Sequence, residues 1–358
     1  MLSARECVRN LPTYHPPLAG REGLRLDFNE NTVGCSPRVL ARLRELTADE
    51  IARYPERRPL EALVAAHLGI EPKELLLTNG VDEAIHLLCE TFLEPDDEVL
   101  VVVPTFAMYG ISAAATGARV LPIPARSGFQ FPTLDLLAKL TPRTRLIAVA
   151  NPNNPTGAVT KPEELLDIAR RAPRAALLVD EAYFEFYGET LLPQWRNLPN
   201  LFVTRTFSKA YGLAGLRVGA LLGAAENIAL VGRISSPYNV NGVALACLPT
   251  ALADQQYIGA YVSAVHQGRR ALQQELRQWG IQHWPSQANF VLASFGPWKT
   301  RFIEGMRARG VLVRDRSRDH GCEGCVRITL GTTEQTAQLL GILREVLKEI
   351  EAKEVPAK

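Results

Sequence analysis

Leu201-Phe202-Val203 leads into Thr206-Phe207-Ser208-Lys209-Ala210-Tyr211-Gly212-Leu213-Ala214-Gly215-Leu216-Arg217, and this stretch decides how the chain is read. The short apolar run predicts a buried strand. Beyond it a lysine, hydroxyls, an arginine and glycines gather at the strand's carboxyl end, where open α/β sheets place ligands. An amine there can form a Schiff base with an aldehyde. Ser208 and Arg217 can hold a phosphate beside it. A strand end running into a basic, glycine-rich turn is the plainer reading of the same residues.

Working outward, the pattern from about residue 75 to 220 alternates short apolar runs with amphipathic stretches. Leu75–Leu77, Val99–Val103, Leu146–Ala150 and Ala176–Val179 join Leu201–Val203 as predicted buried strands. Between them lie helical patterns such as Glu83 to Phe92, with Ile85, Leu88 and Phe92 on one face. This alternation predicts an α/β fold with a mostly parallel, doubly wound sheet. Beyond about residue 245 the pattern changes. A long helix is predicted through Gln255 to Trp279, strands near 289–292, 311–314 and 326–330, and a last helix from Glu334 to Ile350. That part reads as a smaller α+β domain.

The bulk properties narrow the function classes. The chain's 358 residues suffice for one large domain plus a smaller one. A net charge of +2 gives no general affinity for nucleic acid or membrane. No apolar run reaches the ~18 residues of a membrane-spanning helix. The start Met1-Leu2-Ser3-Ala4-Arg5-Glu6 lacks the apolar core of a secretory signal, so a cytoplasmic location is expected. Cys7, Cys35, Cys89, Cys247, Cys322 and Cys325 are scattered and do not read as a disulfide framework. Cys322 and Cys325 have CxxC spacing, but a zinc site needs two more ligands and only His320 is near in sequence, so no metal is expected.

Further motifs fall at predicted strand ends. Thr78-Asn79-Gly80-Val81-Asp82-Glu83 follows a strand and opens a helix, whose free amides suit a phosphate; it also reads as a turn capped by Asp82. Pro104-Thr105-Phe106 offers an aromatic that either stacks on a flat ring or belongs to the core. Asn151-Pro152-Asn153-Asn154-Pro155-Thr156-Gly157 is a rigid, irregular turn that can present a side-chain amide. Val179-Asp180-Glu181-Ala182-Tyr183 ends a strand with carboxylates, one of which can pair with a protonated ring nitrogen. It also has the look of a nucleotidase Walker B element, but the chain has no GxxxxGK[ST] loop. Arg314 and Arg327 lie within apolar strand patterns, where a buried arginine is costly unless it meets an anion.

Taken in order, these motifs resemble the fold-type I aminotransferases that use pyridoxal 5′-phosphate, and within them the histidinol-phosphate aminotransferase family. The resemblance runs nearly the full length, from Leu11-Pro12-Thr13-Tyr14 and Asp27-Phe28-Asn29-Glu30-Asn31 through Arg53-Tyr54-Pro55 to Pro237-Tyr238-Asn239 and Arg327-Ile328-Thr329-Leu330-Gly331-Thr332. It implies an N-terminal arm (1–28) packing with the small domain, a large cofactor-binding domain (29–245) and a small C-terminal domain (246–358). It also implies a role for each matching residue. Lys209 would form the Schiff base and shuttle the proton. Asp180 would pair with the ring nitrogen, and Asn154 and Tyr183 with the ring oxygen. Phe106 would stack on the ring. The amides of Val81 and Asp82, with Ser208 and Arg217, would hold the cofactor phosphate. Tyr54 would reach that phosphate from the other subunit of a homodimer. Arg327 would bind the carboxylate of glutamate. Tyr14, Asn29 and Arg314 would face the substrate, Tyr14 and Arg314 its distal group. The implied reaction is transamination between L-histidinol phosphate and 2-oxoglutarate in histidine biosynthesis. Aromatic amino acid transamination and decarboxylation of threonine phosphate are the alternatives on the same scaffold. The chain departs from the family pattern at Thr32-Val33-Gly34 after Glu30-Asn31, and at Phe106, where some members carry tyrosine.

Overall fold

A computed structural model describes residues 2–13 and 20–354. Tyr14 lies outside the described residues. The first strand, β1 (Leu24–Leu26), is followed by β2 (Leu75–Thr78), β3 (Glu98–Val103), β4 (Arg119–Pro124), β5 (Thr144–Ala150), β6 (Ala176–Asp180), β7 (Leu201–Thr206) and β8 (Gly219–Gly223). Strands β9 (Gln282–His283), β10 (Phe290–Ser294), β11 (Val311–Asp315) and β12 (Cys325–Thr329) complete the set.

Seven strands form one sheet in the order β2-β8-β7-β6-β5-β3-β4. Its pairs from β4 through β3, β5 and β6 to β7 are parallel. β8 alone runs against its neighbours. Both faces are covered, so β2, β6, β7 and β8 are buried from end to end. That explains why β2, β6 and the start of β7 read as unbroken apolar runs rather than alternating ones. β4 was not anticipated: Pro122 and Pro124 break its pattern, and only an edge strand tolerates them. β8 was missed because glycines open and close it.

The second sheet has the order β1-β11-β12-β10-β9. β1 pairs in parallel with β11, Leu24 opposite Val311, so residues 24–26 of the expected arm join this sheet, whereas Glu6–Arg9 packs on the helix Met108–Thr116 of the large domain, with Arg5 and Cys7 donating to the Ala115 carbonyl. Helices Gln255–Gln278 and Lys299–Ala308 pack on it, and Thr333–Glu354 packs on those two helices. The change of pattern expected at 245/246 falls inside the helix Gly242–Ala253, which packs on Pro37–Arg44 and Arg58–Leu68. The chain turns only at Asp254, ahead of Gln255–Gln278. No helix among the described residues is long and apolar enough to cross a membrane.

Candidate active site

The parallel order brings the carboxyl ends of β2, β3, β5, β6 and β7 to one edge of the large sheet. β8, running the other way, starts at that edge, and Arg217 sits just before it. A cavity of about 230 Å³ opens there. Val81 and Asp82, Phe106, Asn154, Asp180 and Tyr183, and Ser208, Lys209 and Arg217 all line it. The residues picked out at separate strand ends therefore share one chamber.

Lys209 donates from Nζ to the carbonyl of Phe28 at 3.3 Å. Burial brings its amine down from 10.5 to about 8, helped by Arg327 and opposed by Glu30 and Asp82. Asp180 is 5% exposed. Its Oδ2 accepts from the Tyr109 hydroxyl at 2.5 Å, and its Oδ1 from the Thr204 hydroxyl at 2.9 Å and the Ala182 amide at 3.1 Å. Burial raises this carboxyl above its ordinary value, and those three donors pull it back. Tyr109 and Thr204 were not foreseen. Tyr109 lies three residues beyond Phe106 and contacts its ring edge-on at 5.8 Å, and that spacing is the only sequence signal for it.

The Asn-Pro loop shows why one of its three amides faces the cavity. Asn151 is used up by Thr160, accepting from its amide at 2.8 Å and donating to its carbonyl at 3.2 Å. Asn153 donates to the Pro104 carbonyl and the Thr156 hydroxyl, both at 2.9 Å. Asn154 is left to line the chamber, and its Oδ1 accepts from Arg327 outside it. Tyr183 is held from the other side: Asn29 donates from Nδ2 to its hydroxyl at 2.8 Å. Asn29 itself is 1% exposed and bonds Thr329 on β12 through its backbone amide at 3.1 Å. It does not line the cavity; it stands behind Tyr183.

A phosphate cradle is built at the start of the helix Gly80–Phe92. Helix amides there point outward, Asp82 sits in the first turn and not at the cap, and Asn79 takes the cap position. Gly80 has φ +74°, and a Cβ on it would run into the Arg217 guanidinium. Arg217, itself left-handed at φ +53°, donates from Nη2 to Asp82 Oδ2 at 2.9 Å. Only a glycine leaves room for that arginine over the helix end. With Ser208 alongside, this donor set fits an organic phosphate.

Arg327 is 4% exposed and donates from Nη2 to the Asp27 carbonyl at 2.7 Å. Burial, and the nearby Arg316, bring its guanidinium down to about 9. Arg314 stands opposite it on β11, 4.9 Å from the Phe28 ring centroid. Neither lines the chamber in this state. Tyr54 lies outside it as well, 78% exposed and stacked on Tyr238 at 4.1 Å. Cys322 and Cys325 are buried free thiols, and no group of three or more His, Cys, Asp or Glu among the described residues can hold a metal ion.

Residues 21–343 match the aminotransferase class I and II family. The chain belongs to that family. Histidinol-phosphate aminotransferase of Geobacillus sp. (strain WCH70) is 36% identical over 360 residues, covering 96% of this chain and 97% of its own length. The Moorella thermoacetica protein of the same name is 33% identical, with 96% and 92% covered. The solved structure of histidinol-phosphate aminotransferase from Sinorhizobium meliloti, in complex with pyridoxal-5′-phosphate, superposes with a TM-score of 0.87 at 25% identity. It covers 96% of this chain and 97% of its own. Like other members of its family, the chain is an aminotransferase.

Proposed function

We propose that this aminotransferase binds pyridoxal 5′-phosphate in the chamber and moves an amino group between L-histidinol phosphate and 2-oxoglutarate, giving imidazole-acetol phosphate and L-glutamate. One observation carries the reading: a partly buried lysine with its amine near 8 shares a cavity with a buried carboxylate. The cofactor would supply an electron sink there, which is what permits a proton to leave carbon beside an amine.

The chain's own residues do the rest. At neutral pH a useful fraction of Lys209 is unprotonated and can take and return that proton at Nζ. Asp180, accepting from Tyr109, Thr204 and the Ala182 amide, is placed to offer its carboxylate to a cationic ring nitrogen. Asn154 and Tyr183 supply polar contacts for a ring oxygen, and Phe106 an apolar face. Arg217, Ser208 and the amides of Val81 and Asp82 hold the phosphate. Arg327 takes the substrate carboxylate when glutamate is bound. Arg314, with Tyr14, faces the distal phosphate of the other substrate. The exposed Tyr54 serves the chamber of a second copy in a homodimer.

A half-reaction titration tests this. The cofactor-loaded protein, without keto acid, is mixed separately with L-histidinol phosphate, L-glutamate and L-phenylalanine while the cofactor absorbance is followed. Fast conversion by the first two, with phenylalanine slow, is expected. Phenylalanine matching histidinol phosphate would make the enzyme an aromatic amino acid aminotransferase. Carbon dioxide release from threonine phosphate would make it a decarboxylase.

A further inference from the structure

Three arginines share one face of the small sheet. Arg314 on β11 is directly opposite Arg327 on β12, so their side chains leave the sheet on the same side. Arg316 follows two residues later, and its amide still bonds the Cys325 carbonyl at 3.0 Å, so the ladder continues and the same side is kept. Three guanidiniums held this close repel one another. The turn that follows returns one carboxylate to them: Asp319 Oδ2 lies 2.5 Å from Arg316 Nη2. Of the two, Arg316 is the less exposed, at 14% against 27%. The Nε atoms of Arg316 and Arg327 are buried without a hydrogen-bond partner.

The cluster thus carries three positive charges and one negative, beside the chamber. Asp319 lines a hollow shared with Phe106, and Phe106 also lines the chamber. Burial pushes the Asp319 carboxyl up, while Arg316, Arg327 and Arg314 all pull it down. A pair that only pinned its own turn would not need to face two further arginines.

We propose that Asp319 is an internal counter-anion of this cluster and that the Arg316–Asp319 pair sets selectivity for the charge on the substrate's far end. A dianionic phosphate competes with Asp319 for Arg316. A substrate with an uncharged end leaves the pair closed. Asp319 therefore weakens an anionic end that must displace it and leaves a neutral end untouched, so the strength of the pair sets how far phosphate is favoured. This rests on the reading of histidinol phosphate as substrate.

The test uses the cofactor-loaded protein, so that the phosphate cradle at Arg217 is filled. Inorganic phosphate is titrated calorimetrically, and kcat/KM is measured for histidinol phosphate and phenylalanine. Asp319→Asn is expected to tighten inorganic phosphate about three- to tenfold and to raise the ratio of kcat/KM for the two substrates by a similar factor. Arg316→Met is expected to lower both by about tenfold. Asp319→Glu, which keeps the charge, is expected to restore the wild-type values and guards against misfolding of the neutral variant. Equal shifts for both substrates, or thermal melting changed with phosphate affinity unmoved, would overturn the proposal and leave the pair as a turn fastener. If wild type does not turn over histidinol phosphate, the substrate assignment fails, while the phosphate titration still decides the role of Asp319.

Discussion

Lys209→Met in the cofactor-free protein is expected to make the fold more stable, and the size of the gain follows from the amine's position. Folding brings the amine from its ordinary 10.5 down to about 8. At about 1.4 kcal/mol per pH unit, that difference is about 3 kcal/mol of unfavourable free energy. Below pH 8 the lysine is charged in both folded and unfolded chains, and the whole cost is present. Between 8 and 10.5 the folded chain loses the proton first, and the cost fades. Methionine keeps the length and removes the charge. It also strips the Phe28 carbonyl of its 3.3 Å donor, a loss of about 1 kcal/mol. The net gain at pH 7 is about 2 kcal/mol, and by about pH 9.5 it shrinks towards zero. Urea unfolding of both proteins at equal concentration, at both pH values, measures it. A variant no more stable than wild type at pH 7 would refute the reasoning. So would a gain that stays constant as pH rises, because methionine would then be acting through packing and not through charge.

Three more consequences can be checked directly. Tyr109→Phe removes the 2.5 Å donor to Asp180; a hydrogen bond to a charged group is worth about 1.5–3 kcal/mol, so kcat is expected to fall about ten- to hundredfold in steady-state kinetics, with KM little changed. Gly80→Ala meets both a backbone at φ +74° and the Arg217 guanidinium; it is expected to lower stability by about 1–3 kcal/mol and to let the cofactor be stripped by gel filtration, unlike wild type. Trp195, 2% exposed, donates from Nε1 to Glu74 at 3.2 Å; Trp195→Ala is expected to cost about 3–5 kcal/mol in urea unfolding, with the carboxylate left unsatisfied adding to the cavity.

The large sheet was legible because its central strands are buried on both faces, so Leu146–Ala150 and Ala176–Val179 announce themselves as apolar runs. The chamber was legible for a related reason: each such run ends in a residue type that makes little sense in a core, as Asp180 does after Val179. What sequence did not show is who answers those residues. Tyr109 looks like a core aromatic within a helix, and only the packing of that helix on β3 and β4 turns its hydroxyl towards Asp180. Thr204 lies inside β7, one of a series of buried residues, and its bond to Asp180 exists because β6 and β7 pair in register. Nor did sequence show that Asn29, with its left-handed backbone at φ +56°, ties Tyr183 to Thr329 on β12.

These answering groups change how binding here should be understood. Arg217 already holds Asp82, Arg327 already holds Asn154, and Arg316 already holds Asp319. Each cation suited to an incoming anion rests on an internal acceptor, so a ligand exchanges partners and does not fill bare charge. The affinity is then the difference between the contacts made and the contacts given up, smaller than any single new contact suggests. It follows that the acceptors govern discrimination as much as the arginines do. Removing an acceptor should tighten anion binding generally, whereas removing an arginine should weaken it. At Arg217 this sign can be read without turnover: Asp82→Asn is expected to increase retention of the cofactor phosphate, measured as its dissociation rate during dialysis. Faster loss would show that Asp82 anchors Arg217 in place instead of competing for it.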